Sequence, residues 1–474
     1  MKNYLYILFP VLLVLSACEK LLDKEPTDQL SIEELFSDMP GSKSALAGAY
    51  KGLMSSEYYG MKMMIYPDLM AGNLKFSKTT NTRLDDVYQF NCIPDESAMN
   101  DTYRDLYSQL NNVNNIIYYV PSASGTDAER TKLVAEAKCI RALLHFDLLR
   151  IFTRTNATDV LNQGMGIALN LKPQLYADPS PVRATLGESY AAIVKDLTEA
   201  ISVFDDANAG ILPSGNKQNY FTKSSAKALL AKVYLYQQNW DAAFSTADEL
   251  IKNGGYSLTA NANYVASWAT KTPATESIFE LPFEQIVSGT TLSSYYSLND
   301  NTYRMYAVSN DLLGLYSSTD VRGSATMFNL LTTSTYRFTK KYADGGTLQM
   351  PIKVLRLSEL YLIRAEAALE KAIPDFVQAN ADLSAIARRA NPALALSNIT
   401  DKAQLIDAIL LERRKELAFE GNLLFDLVRR KKGISRTDGT ATTMSLDADD
   451  HRMIMPIPKA TTDVNIHMIQ NLGY

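Results

Sequence analysis

Apolar residues recur at three- and four-residue spacing through much of the chain, most clearly from Ser224 to Gly255. This spacing places apolar side chains on one face of a helix, so it predicts two amphipathic helices around a short polar turn at 237–239. Gly254 and Gly255 end the second helix, because glycine adopts the left-handed conformation without a clash at Cβ. The first stripe contains Ala226, Leu229, Leu230, Val233 and Tyr234, and the second contains Trp240, Ala243, Phe244, Ala247, Leu250 and Ile251.

These two helices are typical of a tetratricopeptide (TPR) hairpin. Small Ala231 and Ala243 allow the two backbones to approach, while Tyr234 and Trp240 fill the space beside them. One hairpin of this kind cannot bury its outer faces, so the pattern predicts neighbouring hairpins of the same type packed against it.

The same periodicity predicts helices at Ser42–Met54, 97–121, 133–148 and 186–204, and from Lys353 to about Lys432. Thr185 and Glu188 form a capping box ahead of the 186–204 helix, in which hydroxyl and carboxylate satisfy free amides at the helix start. We therefore expect a mainly α fold. Its TPR-like hairpins, at about 97–255 and 353–432, form a superhelical scaffold with minor β-strands.

Two long stretches lack helical periodicity and are rich in polar and tyrosine residues. The first runs from Tyr58 to Phe90 and is predicted as a loop with a few strand-like pieces. The second, at about 256–351, interrupts the helices, and its clearest element is a strand at Ser277–Phe283. Long loop-rich insertions in a helical scaffold usually carry binding residues, so we expect this one to form a ligand face.

The chain begins like an exported lipoprotein. Lys2 precedes an apolar run from Tyr4 to Leu15, which is shorter than the ~20 residues that a membrane-spanning helix needs. Small residues then lead into Cys18, a pattern that predicts a signal peptide over 1–17 and lipidation of Cys18. Residues 18–474 are then expected to form one domain, anchored through Cys18 alone.

Charge and cysteine content narrow the possible partners. A formal net charge of −5 and a pI near 5.5 argue against nucleic acid as a ligand. Beyond Cys18 only Cys92 and Cys139 remain, which is too few for a disulfide framework. One bridge is possible, and two buried thiols are the expected arrangement.

Several motifs follow one another along the chain. They are Leu22-Asp23-x-x-Pro26, the strand Glu276–Phe279, Tyr316-x3-Asp320-x-Arg322, Arg356–Ala367, Glu412–Gly421, Asp426-Leu427-x-Arg429, Pro456-Ile-Pro458 and Gln470–Tyr474. This ordered set resembles the SusD/RagB family of surface lipoproteins of Bacteroidetes-type bacteria. Three residues depart from the family pattern: Leu423 stands in place of an arginine, and Ile466 and Leu472 each in place of a proline.

This resemblance implies a TPR-type scaffold that carries a variable, loop-built ligand face. Proteins of the family cap a TonB-dependent, SusC-like outer-membrane transporter and capture nutrient, usually polysaccharide, before uptake. The resemblance further implies a lipid-anchored protein of the outer membrane, exposed at the cell surface, with no catalytic activity.

The residues themselves give little sign of catalysis or of a cofactor. Paired acids such as Asp85-Asp86 and Asp205-Asp206 lie in polar segments, where adjacent carboxylates are usually just solvated, and the three histidines show no metal-ligand spacing. A weak alternative is Ca²⁺ bound at 299–301 or at 447–450, where oxygen ligands cluster. The acids between Glu412 and Glu420 are interpreted as a solvated face or as an ion-pair network between helices.

Sugar binding needs flat apolar rings beside planar polar groups that reach vicinal hydroxyls. The resemblance implies that the two loop-rich stretches supply the site. Trp240 already has a structural place in the hairpin, whereas Trp268 is expected to be free. The candidate ligand-binding residues are Trp268, Tyr264, Tyr295, Tyr296, Tyr303, Tyr306, Arg304, Asn299 and Asn301 in the insertion, with Tyr88, Phe90, Asp68, Asn73 and Arg83 in the first stretch.

Two alternatives to glycan capture remain open on the sequence. The cargo could be peptides, as in the RagB-like branch, because tyrosines and backbone hydrogen bonds can hold an extended peptide. A second, less favoured hypothesis is a TPR adaptor that binds a protein segment on its concave face. The predicted signal peptide with Cys18, the insertion and the C-terminal motifs all count against this hypothesis.

Overall fold

The computed structural model describes residues 31–156, 164–174, 181–205, 207, 209–212, 215–282, 292–342 and 350–474. The predicted signal peptide and Cys18 lie outside these ranges. The α-helices are α1 Ile32–Leu35, α2 Met39–Leu53, α3 Lys62–Ala71, α4 Asp85–Tyr88, α5 Asn100–Tyr119, α6 Asp127–Phe152, α7 Leu186–Val203, α8 Lys223–Gln237, α9 Trp240–Asn253, α10 Asn310–Leu313, α11 Leu357–Glu370, α12 Phe376–Ala390, α13 Lys402–Glu416, α14 Leu423–Arg429 and α15 Lys459–Val464.

The long helices pack mainly against their neighbours in sequence, as the TPR pattern predicts. Helix α5 lies against α6, α6 against α7, and α8 against both α7 and α9. Helix α9 then packs directly on α11, although about 100 residues separate them in the chain. The insertion therefore leaves the helical array after α9 and returns to it at α11 without breaking the stack.

The predicted hairpin of α8 and α9 is confirmed in detail. Gln238 ends α8 in the left-handed conformation (φ 61°), and the Asn239 side chain accepts a hydrogen bond from the Ala242 amide to begin α9. Ala231 and Ala243 are fully buried where the two helices approach. Gly255 follows α9 with φ 74°, in the left-handed conformation expected of a glycine stop.

Side-chain caps fix the starts of α6 and α7. The Thr185 hydroxyl accepts from the Glu188 amide (3.1 Å), and the Glu188 carboxylate accepts from the Thr185 amide (2.8 Å). The predicted capping box ahead of α7 is therefore present, and Thr126 with Glu129 forms another at α6.

Helix α3 was not predicted. It lies inside the stretch from Tyr58 to Phe90 that the sequence presents as a loop, and all ten of its residues are buried. Because α3 is covered on every side, it has no polar face and shows no amphipathic stripe. Periodicity alone therefore misses it.

The described strands are short, and two of their five pairs join segments that are far apart in the sequence. The predicted strand at Ser277 is confirmed as β4, which pairs antiparallel with β8, while β1 pairs with β5. The strands are β1 Leu74–Phe76, β2 Met165–Ala168, β3 Arg183–Thr185, β4 Ser277–Leu281, β5 Tyr306–Val308, β6 Phe328–Leu330, β7 Arg337–Thr339, β8 Ile352–Arg356, β9 Ile434–Ser435 and β10 Ser445–Leu446.

A buried ion-pair network ties the insertion to the C-terminal helices, which confirms one of the two interpretations of the acids between Glu412 and Glu420. Arg356 contacts Glu416 (3.0 Å) and Glu420 (2.8 Å), and Arg322 contacts Glu412 (2.7 Å) and Glu416 (3.1 Å). Burial alone would raise the pKa of Glu416, but Arg389, Arg356 and Arg322 outweigh it and hold the pKa well below its usual range. Several motif residues of the C-terminal part are therefore structural.

Cys92 and Cys139 are both free and buried, as expected for two isolated thiols. Burial raises the pKa of each thiol, so neither is activated as a nucleophile.

Candidate ligand-binding face

Strand pairing brings the two loop-rich stretches together. Strand β1 pairs with β5 in the register Leu74 to Val308 and Phe76 to Tyr306. The Ser77 amide continues the ladder by donating to the Met305 carbonyl (2.9 Å). The segment after β1 and the segment before β5 therefore lie side by side, although more than 200 positions separate them in the sequence.

A lysine of the first segment is bonded to the second. Lys78 Nζ donates to the carbonyl oxygens of Asn301 (3.3 Å) and Thr302 (2.5 Å). From the other direction, Arg304 donates to Asn301 Oδ1 (2.9 Å) and to the Leu298 carbonyl (2.5 Å). Asn301 thus lies between two cationic side chains from the two segments.

An aromatic ring lies beside these groups. The Arg83 guanidinium lies 5.2 Å from the centre of the Tyr303 ring. The Tyr295 ring packs against the Tyr303 ring in a T-shaped arrangement, with 6.1 Å between the two ring centres. Asp300 Oδ1 accepts from the amides of Thr302 (3.1 Å) and Tyr303 (2.8 Å), which fixes the turn. Tyr303 is half-buried, whereas Arg83 and Asn301 are exposed.

We call this surface the loop-junction face, and it consists of Lys78, Arg83, Asn299, Asn301, Tyr303 and Arg304. The last five are predicted ligand residues that the structure brings to one place and leaves at least partly exposed. Lys78 was missed. Nothing in its local sequence marks it, because its role depends on a strand pairing between distant segments.

The expectation that Trp268 is free is wrong. Its side chain is only 2% exposed, and cationic groups cover the indole ring: Lys341 at 4.5 Å, Arg356 at 5.2 Å and Lys353 at 5.3 Å from the centroid. The ring is therefore part of the core beneath the insertion, where it packs against the buried ion-pair network.

Most of the other predicted tyrosines are buried as well, and none of these presents a face to solvent. Tyr264 lies under Arg389 (4.8 Å), and Tyr306 donates its hydroxyl hydrogen bond to the Arg83 carbonyl (2.9 Å). Tyr295 and Tyr296 are 1% and 0% exposed. Tyr295 and Tyr306 lie beneath the loop-junction face, whereas Tyr264 and Tyr296 pack near Trp268 and Tyr342. The burial of all four corrects their predicted role as ligand contacts.

Tyr88 and Phe90 are likewise structural. The Arg436 guanidinium lies 4.8 Å from the Tyr88 ring and 4.2 Å from the Phe90 ring, and it donates to the Tyr88 carbonyl (2.9 Å). Both rings are buried by this arginine, which the C-terminal part of the chain supplies.

Asp68 and Asn73, at the end of α3 and just beyond it, are fully buried and face the C-terminal helices. Asp68 accepts from Asn73 Nδ2 (2.5 Å) and from the Gly421 amide (3.0 Å), and Asn73 Oδ1 accepts from Arg414 (2.9 Å). Burial raises the pKa of Asp68 to about 6, which the bonds from Asn73 and Gly421 partly oppose. Both residues serve packing and not ligand contact.

The described part of the chain contains no group of three His, Cys, Asp or Glu side chains that could hold a metal ion. At the two segments considered for Ca²⁺, Asp300 bonds backbone amides, and Asp450 pairs with Arg452 (2.7 Å). His145 is buried in α6, and burial lowers its pKa to about 3. Among the described residues, Asp300 and Asp450 therefore already have partners within the fold.

A groove of about 610 Å³ lies between α5 and α15, away from the loop-junction face. Its walls include Tyr103, Tyr107, Pro458 and Val464, and none of the predicted ligand residues lines it. The loop-junction face is therefore the surface at which the structure gathers the exposed predicted residues.

Two family models match the chain. One, described as the SusD family, matches residues 264–474, and the other, described as starch-binding associating with outer membrane, matches residues 20–235. No helix among the described residues has both the length and the apolar character that crossing a membrane requires.

Individual relatives agree with the family models. The chain is 23% identical to SusD-like protein P38 of Formosa agariphila, over 89% of this chain and 90% of that protein. The crystal structure of a SusD superfamily protein from Bacteroides vulgatus superposes with a TM-score of 0.81 at 28% identity, covering 93% of this chain and all of the other. A laminarin binding SusD-like protein shares the fold, with a TM-score of 0.70 at 22% identity over 93% of this chain and 100% of that one.

Proposed function

Because the chain belongs to the SusD/RagB family, we propose that it is a non-catalytic nutrient-binding lipoprotein that captures glycans and delivers them to a SusC-like TonB-dependent transporter. The loop-junction face is the proposed capture site. In this proposal the protein is anchored to the outer membrane through Cys18 and faces the outside of the cell.

The observation that carries the glycan proposal is the pairing of β1 with β5. That pairing puts the partly exposed Tyr303 ring next to an amide and two guanidinium groups, those of Asn301, Arg83 and Arg304. A ring of this kind covers the C–H face of a sugar, while planar amide and guanidinium groups bond to neighbouring hydroxyls.

The local framework supports a preformed site. Asp300 holds the turn before Tyr303, Lys78 bonds to two carbonyls of the same turn, and Tyr295 lies against the tyrosine ring. A site that is ordered before the ligand arrives loses less conformational entropy on binding. The face therefore suits reversible capture of a sugar chain without any chemical step.

Affinity electrophoresis in native gels containing plant, host and microbial polysaccharides tests the proposal. The protein should start at Glu19, since every described element lies after residue 30 and removal of 1–18 deletes none of the described contacts. Retardation by one polysaccharide, lost in Tyr303→Ala, is the expected result. Calorimetry with a mixed peptide digest should give no heat.

Two results would contradict the proposal. Heat from peptides together with no retardation by any glycan would favour the peptide alternative. Retardation that Tyr303→Ala leaves intact would place glycan capture elsewhere on the surface. Co-purification of the lipidated chain with an outer-membrane barrel tests the transporter partnership separately.

A further inference from the structure

Three cations on the loop-junction face lack a carboxylate partner among the described residues. Lys78 donates to two backbone carbonyls, Arg304 to a carbonyl and to the Asn301 amide oxygen, and Arg83 lies on the Tyr303 ring. All of these partners are neutral. None of the three therefore forms an ion pair with a described residue, and all three belong to the same face.

In the described part of the chain, no acid near this face forms an ion pair with the three cations. Asp300 accepts from two backbone amides of its own turn, and Glu57, which lies close enough to influence Tyr295, pairs with Lys62. Asp86 accepts from the Ala98 amide (2.8 Å), and Asp438 pairs with Lys75 (2.6 Å). Asp85 is exposed and forms no ion pair with the three cations in the part of the chain that is described.

The chain as a whole carries a formal net charge of −5, and several of its buried arginines, among them Arg322, Arg356 and Arg364, contact carboxylates, unlike the three cations of this face. The three cations outnumber Asp300 and Asp85, two nearby acids without ion-pair partners, and such an excess of positive charge attracts anions over a distance of several ångströms and favours them over neutral ligands.

From these contacts we infer that the loop-junction face takes an anionic glycan, one that carries carboxylate or sulfate groups on its sugar rings. The inference rests on the proposed glycan-binding function and narrows its substrate class. Arg83 can keep the face of its guanidinium on Tyr303 while the edge forms two parallel bonds to one anionic group. Arg304 and Lys78 are placed to meet anionic groups on an adjoining part of the glycan.

Matched polymers test the inference. Sodium polygalacturonate is compared with its carboxyl-reduced form, and a sulfated galactan with its desulfated form, in affinity gels at low and at high salt. We expect one acidic polymer to retard the protein, with much weaker retardation by its neutralised partner and at high salt. The pair that responds identifies the anion as carboxylate or sulfate.

Charge-removing variants locate the site. Arg83→Gln and Arg304→Gln should each weaken binding of the acidic polymer by roughly 10- to 100-fold, the range expected for a lost charged hydrogen bond. The control variant is Lys195→Gln with Lys252→Gln, which removes two exposed charges from α7 and α9 and should bind normally. Thermal melting must show that all variants are folded.

The outcomes separate this inference from the proposed function. Equal retardation by acidic and neutralised polymers would overturn the anionic preference and leave glycan capture standing. Acidic-polymer binding that the two arginine variants retain would overturn the assignment to this face. Absence of retardation by every polysaccharide tested would count against both.

Discussion

The ammonium group of Lys341 lies 4.5 Å from the centre of the Trp268 indole ring, deep beneath the loop insertion. Lys341 also pairs with Glu420 (2.6 Å), so the tryptophan covers one side of the buried ion-pair network. Trp268 therefore stabilises the junction between the insertion and the C-terminal helices.

We predict that Trp268→Ala lowers the free energy of unfolding by about 3–5 kcal/mol, because it leaves a large cavity and uncovers buried charges. Urea denaturation followed by circular dichroism measures the loss. Any reduced ligand binding should follow the folded fraction. If the Trp268→Ala protein had normal stability but no longer bound ligand, Trp268 would have to be a ligand-contacting residue.

Unlike Trp268→Ala, the Tyr303→Ala substitution should weaken ligand binding and leave the free energy of unfolding nearly unchanged. The exposed part of its ring can cover a sugar, so its removal should cost about 1.5–3 kcal/mol of binding free energy. Calorimetry with the polysaccharide found in the screen measures the change. Tyr118→Ala is the matched control, because that tyrosine is 64% exposed on α5, outside the face.

Arg356→Ala should destabilise the protein by about 3–5 kcal/mol, since it leaves Glu276, Glu416 and Glu420 buried without this partner. Chemical denaturation at neutral pH measures the effect. The control is Lys195→Ala, which breaks an exposed pair with Glu199 (3.9 Å) and should cost less than ~1 kcal/mol. Equal losses in the two variants would contradict a special role for the buried network.

The contribution of Glu136 to the free energy of unfolding should fall as pH rises. Burial raises its pKa to about 7, which the hydrogen bond from Tyr50 (2.7 Å) partly opposes. The folded state therefore holds a proton that the unfolded chain has released above pH 4.5, so this stabilisation is present in acid and is lost as pH rises to about 7. The loss is on the order of 3 kcal/mol.

Glu136→Gln removes the titrating group and tests this assignment. Denaturation of the variant and of the wild type across this pH range should show a difference in unfolding free energy that grows with pH. Asp68 also has a raised pKa, but it is present in both proteins and does not contribute to the difference. A difference that stays constant with pH would show that Glu136 is ionised in the fold throughout.

The sequence determined the scaffold because helix periodicity and capping are local properties. Thr185 with Glu188, the stripes on α8 and α9 and the glycine stop at Gly255 each depend on residues a few positions apart, and all are found in the structure. The acidic positions of the buried network were also identified, although their arginine partners were not. Helix α3 escaped prediction, since burial on all sides removes the amphipathic signal.

The composition of the loop-junction face depends on contacts between distant segments, which no local sequence pattern reveals. Trp268 and Tyr303 lie in the same loop-rich insertion, and composition alone gives no reason to separate them. Pairing of β1 with β5 carries Tyr303 to a partly exposed position beside Arg83, whereas packing against Lys341 and Arg356 buries Trp268. The sequence by itself determined the amphipathic helices of the scaffold and the two loop-rich stretches that hold the candidate ligand residues. Only the tertiary structure decided which rings remain exposed, because exposure depends on the segments that fold over each side chain.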